Sequence, residues 1–145
     1  GMIAAACGED GRDGRDGRDG FDGFDGNANV ISATYLVSPS EWNTVSFGAE
    51  VNRFNSDLTP EVIQTGLVSV FYSGDSDPAS RRWIAIPYNG FGYSYLVNTI
   101  TFEVYDATGA ADNTWYKMVI IPQSAKVEGV DLNDFEAVKS VYGIE

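Results

Sequence analysis

Histidine is missing from the 145 residues, and cysteine occurs once, as Cys7. Without histidine there is no Ser-His-Asp or Cys-His catalytic set and no imidazole-bound zinc. A single thiol makes neither an internal disulfide nor a cysteine-rich metal site. Positive charge is scarce: nine Lys and Arg stand against 21 Asp and Glu, a net charge of −12. Such a balance argues against nucleic acid, which selects basic patches, and against electrostatic docking on anionic lipid. No segment approaches the ~18–20 apolar residues of a membrane span. The expectation is a protein with no metal, no cofactor and no nucleic-acid partner, whose only route to a membrane is a covalent lipid.

What is present divides near Asn27. Residues 1–26 are almost all Gly, Asp and Arg, with three Arg against seven acids. Residues 27–145 mix apolar and polar side chains as a globular domain does, with six Lys or Arg against fourteen acids. Those ~120 residues suffice for one hydrophobic core. Eight Phe, eight Tyr and three Trp favour β structure.

The segment Gly1-Met2-Ile3-Ala4-Ala5-Ala6-Cys7 has small residues directly before the lone cysteine. That pattern resembles the end of a bacterial lipobox, although Ala4 stands where Leu is usual. Residues 1–7 read as the remnant of a lipoprotein signal, with Cys7 the lipidated residue.

From Gly8 the chain runs GEDGRDGRDGRDGFDGFDG. Glycine recurs without a break at Gly8, Gly11, Gly14, Gly17, Gly20, Gly23 and Gly26, and every triplet is Gly-X-Asp. A strict period of three is the collagen pattern, because only hydrogen fits where three polyproline-II chains meet. The triplets contain no proline to preset φ. Exposed Arg–Asp pairs between chains add only about 0–1 kcal/mol each. Residues 8–26 therefore need a trimeric head to assemble as a three-chain rod, and otherwise form a flexible linker. Extended, the stretch would lift a domain roughly 60 Å from an anchor at ~3.1 Å per residue. The repeat holds Gly-Arg-Asp and Asp-Gly-Arg, not Arg-Gly-Asp. Its aspartates, including Asp22 and Asp25, recur every third residue rather than at the alternate positions of a calcium loop.

After Asn27, short alternating segments predict strands at 30–37, 45–51, 67–72, 83–88, 93–97, 100–105 and 115–121. Ile100, Phe102 and Val104 form one face of the sixth, and Thr101, Glu103 and Tyr105 the other. The apolar run Trp115–Ile121 suits a buried central strand. Turn sequences fall at Ser73–Pro78, Asn89–Gly92 and Asp106–Gly109, and residues 60–65 suit one helical turn. Leu132, Phe135, Val138 and Tyr142 share a helical face within residues 131–142, with Asp131 or Asn133 as cap and Gly143 as stop. The fold class is mainly β: an antiparallel β-sandwich, jelly-roll or Ig-like, with a short C-terminal helix against it.

Several of these features together resemble small collagen-repeat lipoproteins of Bacteroidetes-type bacteria. They are Cys7, the Gly-X-Asp run, Asn27-Ala28-Asn29-Val30, the Tyr116–Pro122 strand and the closing Val130–Val138 segment. The resemblance implies export, a lipid anchor and display at the outer membrane or cell surface, and it implies no reaction. A collagen-like stem before a β-sandwich is also the layout of complement-C1q-type proteins, whose heads are trimeric. A homotrimer through stalk and head is the corresponding expectation.

Three functions compete. The leading one is a non-catalytic surface module, structural, adhesive or scaffolding. The second is a glycan-binding head using exposed rings among Trp42, Trp83, Trp115 and, above all, Tyr88, Phe91, Tyr93 and Tyr95. Rings at strand spacing are more often core. The third is a glycosidase built on acidic pairs such as Asp75/Asp77 or Glu103/Asp106. Asp75 and Asp77 sit before Arg81 and Arg82 and read more simply as a solvated loop.

Overall fold

A computed structural model describes residues 29–144; before them it describes only the backbone of Met2–Ile3 and Cys7–Gly8, paired two residues a side. Eight strands follow in the described domain: β1 Ile31–Val37, β2 Asn43–Val45, β3 Gly48–Phe54, β4 Leu67–Ser73, β5 Ile84–Ala85, β6 Phe91–Leu96, β7 Thr99–Tyr105 and β8 Thr114–Ile121. Two α-helices join them, α1 Pro60–Thr65 and α2 Phe135–Tyr142. Sheet I has the order β1-β8-β4-β5 and sheet II the order β2-β3-β7-β6, with every neighbouring pair antiparallel.

The arrangement is sandwich-like, because one core takes side chains from both sheets. Val68, Val70, Tyr116, Met118 and Ile120 of sheet I meet Ala49, Val51, Ile100, Phe102 and Val104 of sheet II. The alternation of β7 decides its orientation: Ile100, Phe102 and Val104 point inward and Thr101, Glu103 and Tyr105 outward. Strand β8 has no wet face. Tyr116, Met118 and Ile120 enter the inter-sheet core, while Val119 and Ile121 face a second core with Phe71, Phe135, Val138, Tyr142 and Ile144. Helix α2 supplies Phe135, Val138 and Tyr142 to that second core, so it covers the outer face of sheet I. Each buried Phe, Val or Ile there contributes roughly 1.5–3 kcal/mol by leaving water.

Local signals explain most boundaries. Asn89 and Gly90 both have positive φ (53° and 86°) between Tyr88 and Phe91, whose backbones exchange two hydrogen bonds of 2.9 Å. This is the Asn-Gly hairpin turn that matches strand twist. Gly143 ends α2 in the left-handed region. The cap of α2 is Asp134, which accepts hydrogen bonds from the Glu136 and Ala137 amides. Asp131 and Asn133, the expected caps, lie three residues and one residue before it, in a turn where the Asp131 carboxylate accepts from the Asn133 amide. The helix accordingly begins at Phe135, not at residue 131.

Two predicted strands are broken. The stretch 45–51 reverses at Ser46–Phe47, so Val45 pairs with Gly48 across a two-residue turn. Its alternation continues across the turn, which hid it. Gly48 has φ +152°, and a Cβ there would lie 2.1 Å from the Val104 carbonyl oxygen, so no other residue fits. Of the stretch 83–88, only Ile84–Ala85 pairs in the sheet, and a cis peptide bond precedes Pro87. Pro87 has no amide to donate to a ladder.

Two buried polar atoms of the inter-sheet core, the Trp42 Nε1 and the Tyr116 hydroxyl, have no protein partner. Tyr116 is fully buried and stacks on Phe102, with centroids 4.1 Å apart, yet its hydroxyl finds no protein partner. Burial pushes its pKa well above the ordinary tyrosine range. A buried hydroxyl without a partner costs about 1–3 kcal/mol. Tyr116→Phe is therefore expected to leave stability unchanged or to raise it by up to about 1–3 kcal/mol in denaturant unfolding. A clear loss of stability would show that the oxygen has a partner.

Candidate functional site

Of the sequence-expected site residues, Cys7 and the repeat glycines Gly8, Gly11, Gly14, Gly17, Gly20, Gly23 and Gly26 lie outside the described residues, apart from the backbone of Cys7 and Gly8. The four aromatic candidates do not act as one exposed set. Phe91, Tyr93 and Tyr95 alternate along β6 on its inward side and pack against the inter-sheet core. Phe91 stacks on Tyr72 at 4.4 Å, Tyr93 lies parallel to Tyr95 at 6.2 Å, and the Tyr93 hydroxyl donates to the Val68 carbonyl at 3.0 Å. Burial raises the Tyr93 pKa. These rings close the seam where sheet I narrows to the two residues of β5. Tyr88 alone of the four is largely exposed, at 53%. Trp42 is buried, and Trp83 and Trp115 are half-buried.

The acidic pairs have structural work. Asp75 accepts hydrogen bonds from the Asp77 amide and the Ser80 hydroxyl, and Asp77 accepts from the Ala79 amide. The Asp77 amide, then Ser80 and the charge of Arg81, hold the Asp75 carboxyl below its usual pKa. Both carboxylates thus fold the 74–80 loop. Glu103 lies on the outer face of sheet II, where it accepts from the Tyr105 hydroxyl at 2.6 Å and the Ser94 hydroxyl at 2.9 Å. Gly92 makes room for that Tyr105 ring, since a Cβ there would lie 2.6 Å from its hydroxyl oxygen. Asp106 occupies the following turn at φ +60°. Among the described residues no group of three or more His, Cys, Asp or Glu could hold a metal ion. No described helix is long and apolar enough to cross a membrane.

A different constellation stands out on the outer face of sheet I. The loop after β4 folds back so that Arg81 and Trp83 interleave with Trp115 and Lys117 of β8. The Arg81 guanidinium carbon lies 4.5 Å from the Trp115 ring centroid and 5.8 Å from that of Trp83. The Lys117 Nζ lies 4.9 Å from the Trp83 centroid and 5.4 Å from that of Phe135. Ring, cation, ring, cation and ring therefore alternate from Trp115 to Phe135. Desolvated cation–π contacts of this kind contribute about 0.5–2 kcal/mol each. The Arg81 Nε also donates to the Asp75 carbonyl at 3.0 Å, which ties the loop to the ladder.

Two adjoining hollows of about 450 and 470 Å³ open beside this ladder, between the loop and the start of α2. Arg81, Arg82, Lys117 and Lys139 line them, together with Asp134 and Glu136. Four of the six Lys and Arg beyond residue 26 thus converge on one cleft. In a domain of strongly negative charge this is the one concentration of positive charge among the described residues. Sequence reading passed over it, because Lys117 sat inside an apolar run and Arg81 beside acids. The signal was the paired spacing: Arg81-x-Trp83 and Trp115-x-Lys117 place cation and ring two apart, on the same face of extended chain. No family model, no curated protein and no solved structure matches the chain.

The Tyr105–Glu103 contact gives a readable titration. The hydrogen bond to Glu103 is the main reason that the Tyr105 pKa rises from 10.0 to about 12. Because the folded value is raised, the contribution of that bond is complete below about pH 10 and is lost as pH climbs towards 12. In ultraviolet titration at alkaline pH, Glu103→Gln should return one tyrosine to near 10. An unchanged curve would show that the carboxylate does not govern the shift.

Proposed function

We propose that the chain is a non-catalytic, lipid-anchored surface protein of bacterial origin, in which residues 29–144 form a recognition head on a collagen-like stem. Cys7 carries the lipid that holds the protein at the outer membrane or cell surface, and residues 8–26 assemble as the stem of a homotrimer. The head is a β-sandwich; its eight strands match the number in a jelly roll rather than the seven of a constant-type Ig domain. The resemblance to collagen-repeat lipoproteins supports the anchor and the stem.

The observation that carries the reading is the polarity of sheet I. The chain enters β1 at Ile31, opposite Ile120, whereas Trp115 and the loop after Ser73 lie about five residues away, towards the start of β8. At ~3.4 Å per residue that is roughly 17 Å. The cationic cleft thus extends towards the end of the sheet away from the tether, which suits a head that meets ligand on its distal side.

Both halves are open to test. Mass spectrometry of the protein from its native cells should find a diacylglyceryl group on the Cys7 peptide, and an unmodified thiol overturns the anchor. The intact chain should sediment as a trimer. Gly17→Ala should weaken that trimer, because a methyl group does not fit at the axis of a triple helix. A sedimentation profile and melting curve unaffected by Gly17→Ala would reduce the stem to a tether.

A further inference from the structure

We infer that the cleft between the 78–83 loop and α2 binds an acidic saccharide, a sugar carrying a carboxylate such as a hexuronate. The inference rests on the head being a recognition module, and it moves the ligand site from the β6 rings to the opposite sheet. Three observations carry it. The first is size: hollows of about 450 and 470 Å³ fall within the ~300–1,000 Å³ of small-ligand sites. The second is charge. Arg81, Arg82, Lys117 and Lys139 face two carboxylates there, while residues 27–145 as a whole carry six cations against fourteen acids. An anion approaching the head meets attraction at this cleft and repulsion over most of the remaining surface.

The third is the mixture of groups. Exposed Arg82 and Lys139 stand at the rim, and Lys117, 7% exposed, forms part of the floor. Arg82 and Lys139 donate only and suit a carboxylate. Glu136 and Thr34 line the same hollow. A carboxylate accepts hydrogen bonds from sugar hydroxyls and repels a bare oxyanion. A ligand with one acid group among several hydroxyls satisfies both sets, whereas inorganic phosphate satisfies only the cations. The ladder of Trp115, Arg81, Trp83, Lys117 and Phe135 fixes the inner cations before ligand arrives, so little ordering cost remains for binding.

The test uses the full chain and trigalacturonate, followed by calorimetry at low salt. Saturable binding is expected, weakened about tenfold or more at high salt, as screening of exposed charges requires. Arg82→Ala and Lys139→Ala should each weaken it about fivefold or more, the loss of one charge-assisted contact. Lys126→Ala removes an equal charge at an exposed position outside the cleft and should leave the affinity unchanged. Circular dichroism checks that each variant is folded. Trigalactose, which lacks the carboxylates, should not bind. Absence of trigalacturonate binding, equal weakening by Lys126→Ala, or equal binding of inorganic phosphate or of trigalactose each overturns the inference. None of these outcomes touches the lipid on Cys7 or the trimer, which are read separately.

Discussion

Burial of β8 on both faces is the constraint on which the rest of the domain depends. It lies between β1 and β4 in sheet I, gives Tyr116, Met118 and Ile120 to the inter-sheet core, and gives Val119 and Ile121 to the core beneath α2. A strand with two dry faces needs a layer on each side. Sheet II supplies one and α2 the other, which accounts for a helix in an otherwise β domain. The tie is reinforced where the Tyr142 hydroxyl accepts from the Val127 amide at 3.1 Å, holding the last turn of α2 to the segment that leaves β8.

Near its Trp115 end, β8 departs from this apolar logic. Lys117 points to the α2 side, where its ammonium lies by the Trp83 and Phe135 rings and lines a hollow with Thr34 and Glu136. An ammonium group in such a place costs desolvation energy, and ring faces recover part of it through their quadrupoles. The same contacts hold the returning 81–83 segment against the sheet, where β5 provides only two residues of pairing. One row of side chains thus anchors a loop, seats a helix and gathers charge beside a cleft. The structural role and the proposed recognition role fall on the same atoms here.

The sequence made the strands legible wherever alternation was uninterrupted, as in Ile100–Val104, and the helix legible through Phe135, Val138 and Tyr142. It was blind to reversals that preserved the period. Val45, Phe47, Ala49 and Val51 alternate through a two-residue turn, because a tight hairpin changes direction without disturbing the apolar count. The inward placement of three of the aromatic candidates was hidden for a related reason. Phe91, Tyr93 and Tyr95 share one face, and sequence does not say which face of an edge strand is wet until the opposing sheet is in place. The cleft was illegible because it joins residues 78–83, 117 and 134–139, and no local pattern encodes their meeting. The lipid anchor and the stem rest on sequence pattern alone.

The pairing of β1 with β8 has a consequence for how the chain comes into being. The first strand finds its neighbour only after residues 114–121 have been made, and the outer face of sheet I is capped only when 135–144 follow. The pairs of sheet II lie within residues 43–105 and can form earlier, so it is the β1–β8 closure, a ring of about eighty to ninety residues, that comes late and slowly. The outer layer of the domain, sheet I under its helix, therefore closes only when the polypeptide is nearly complete.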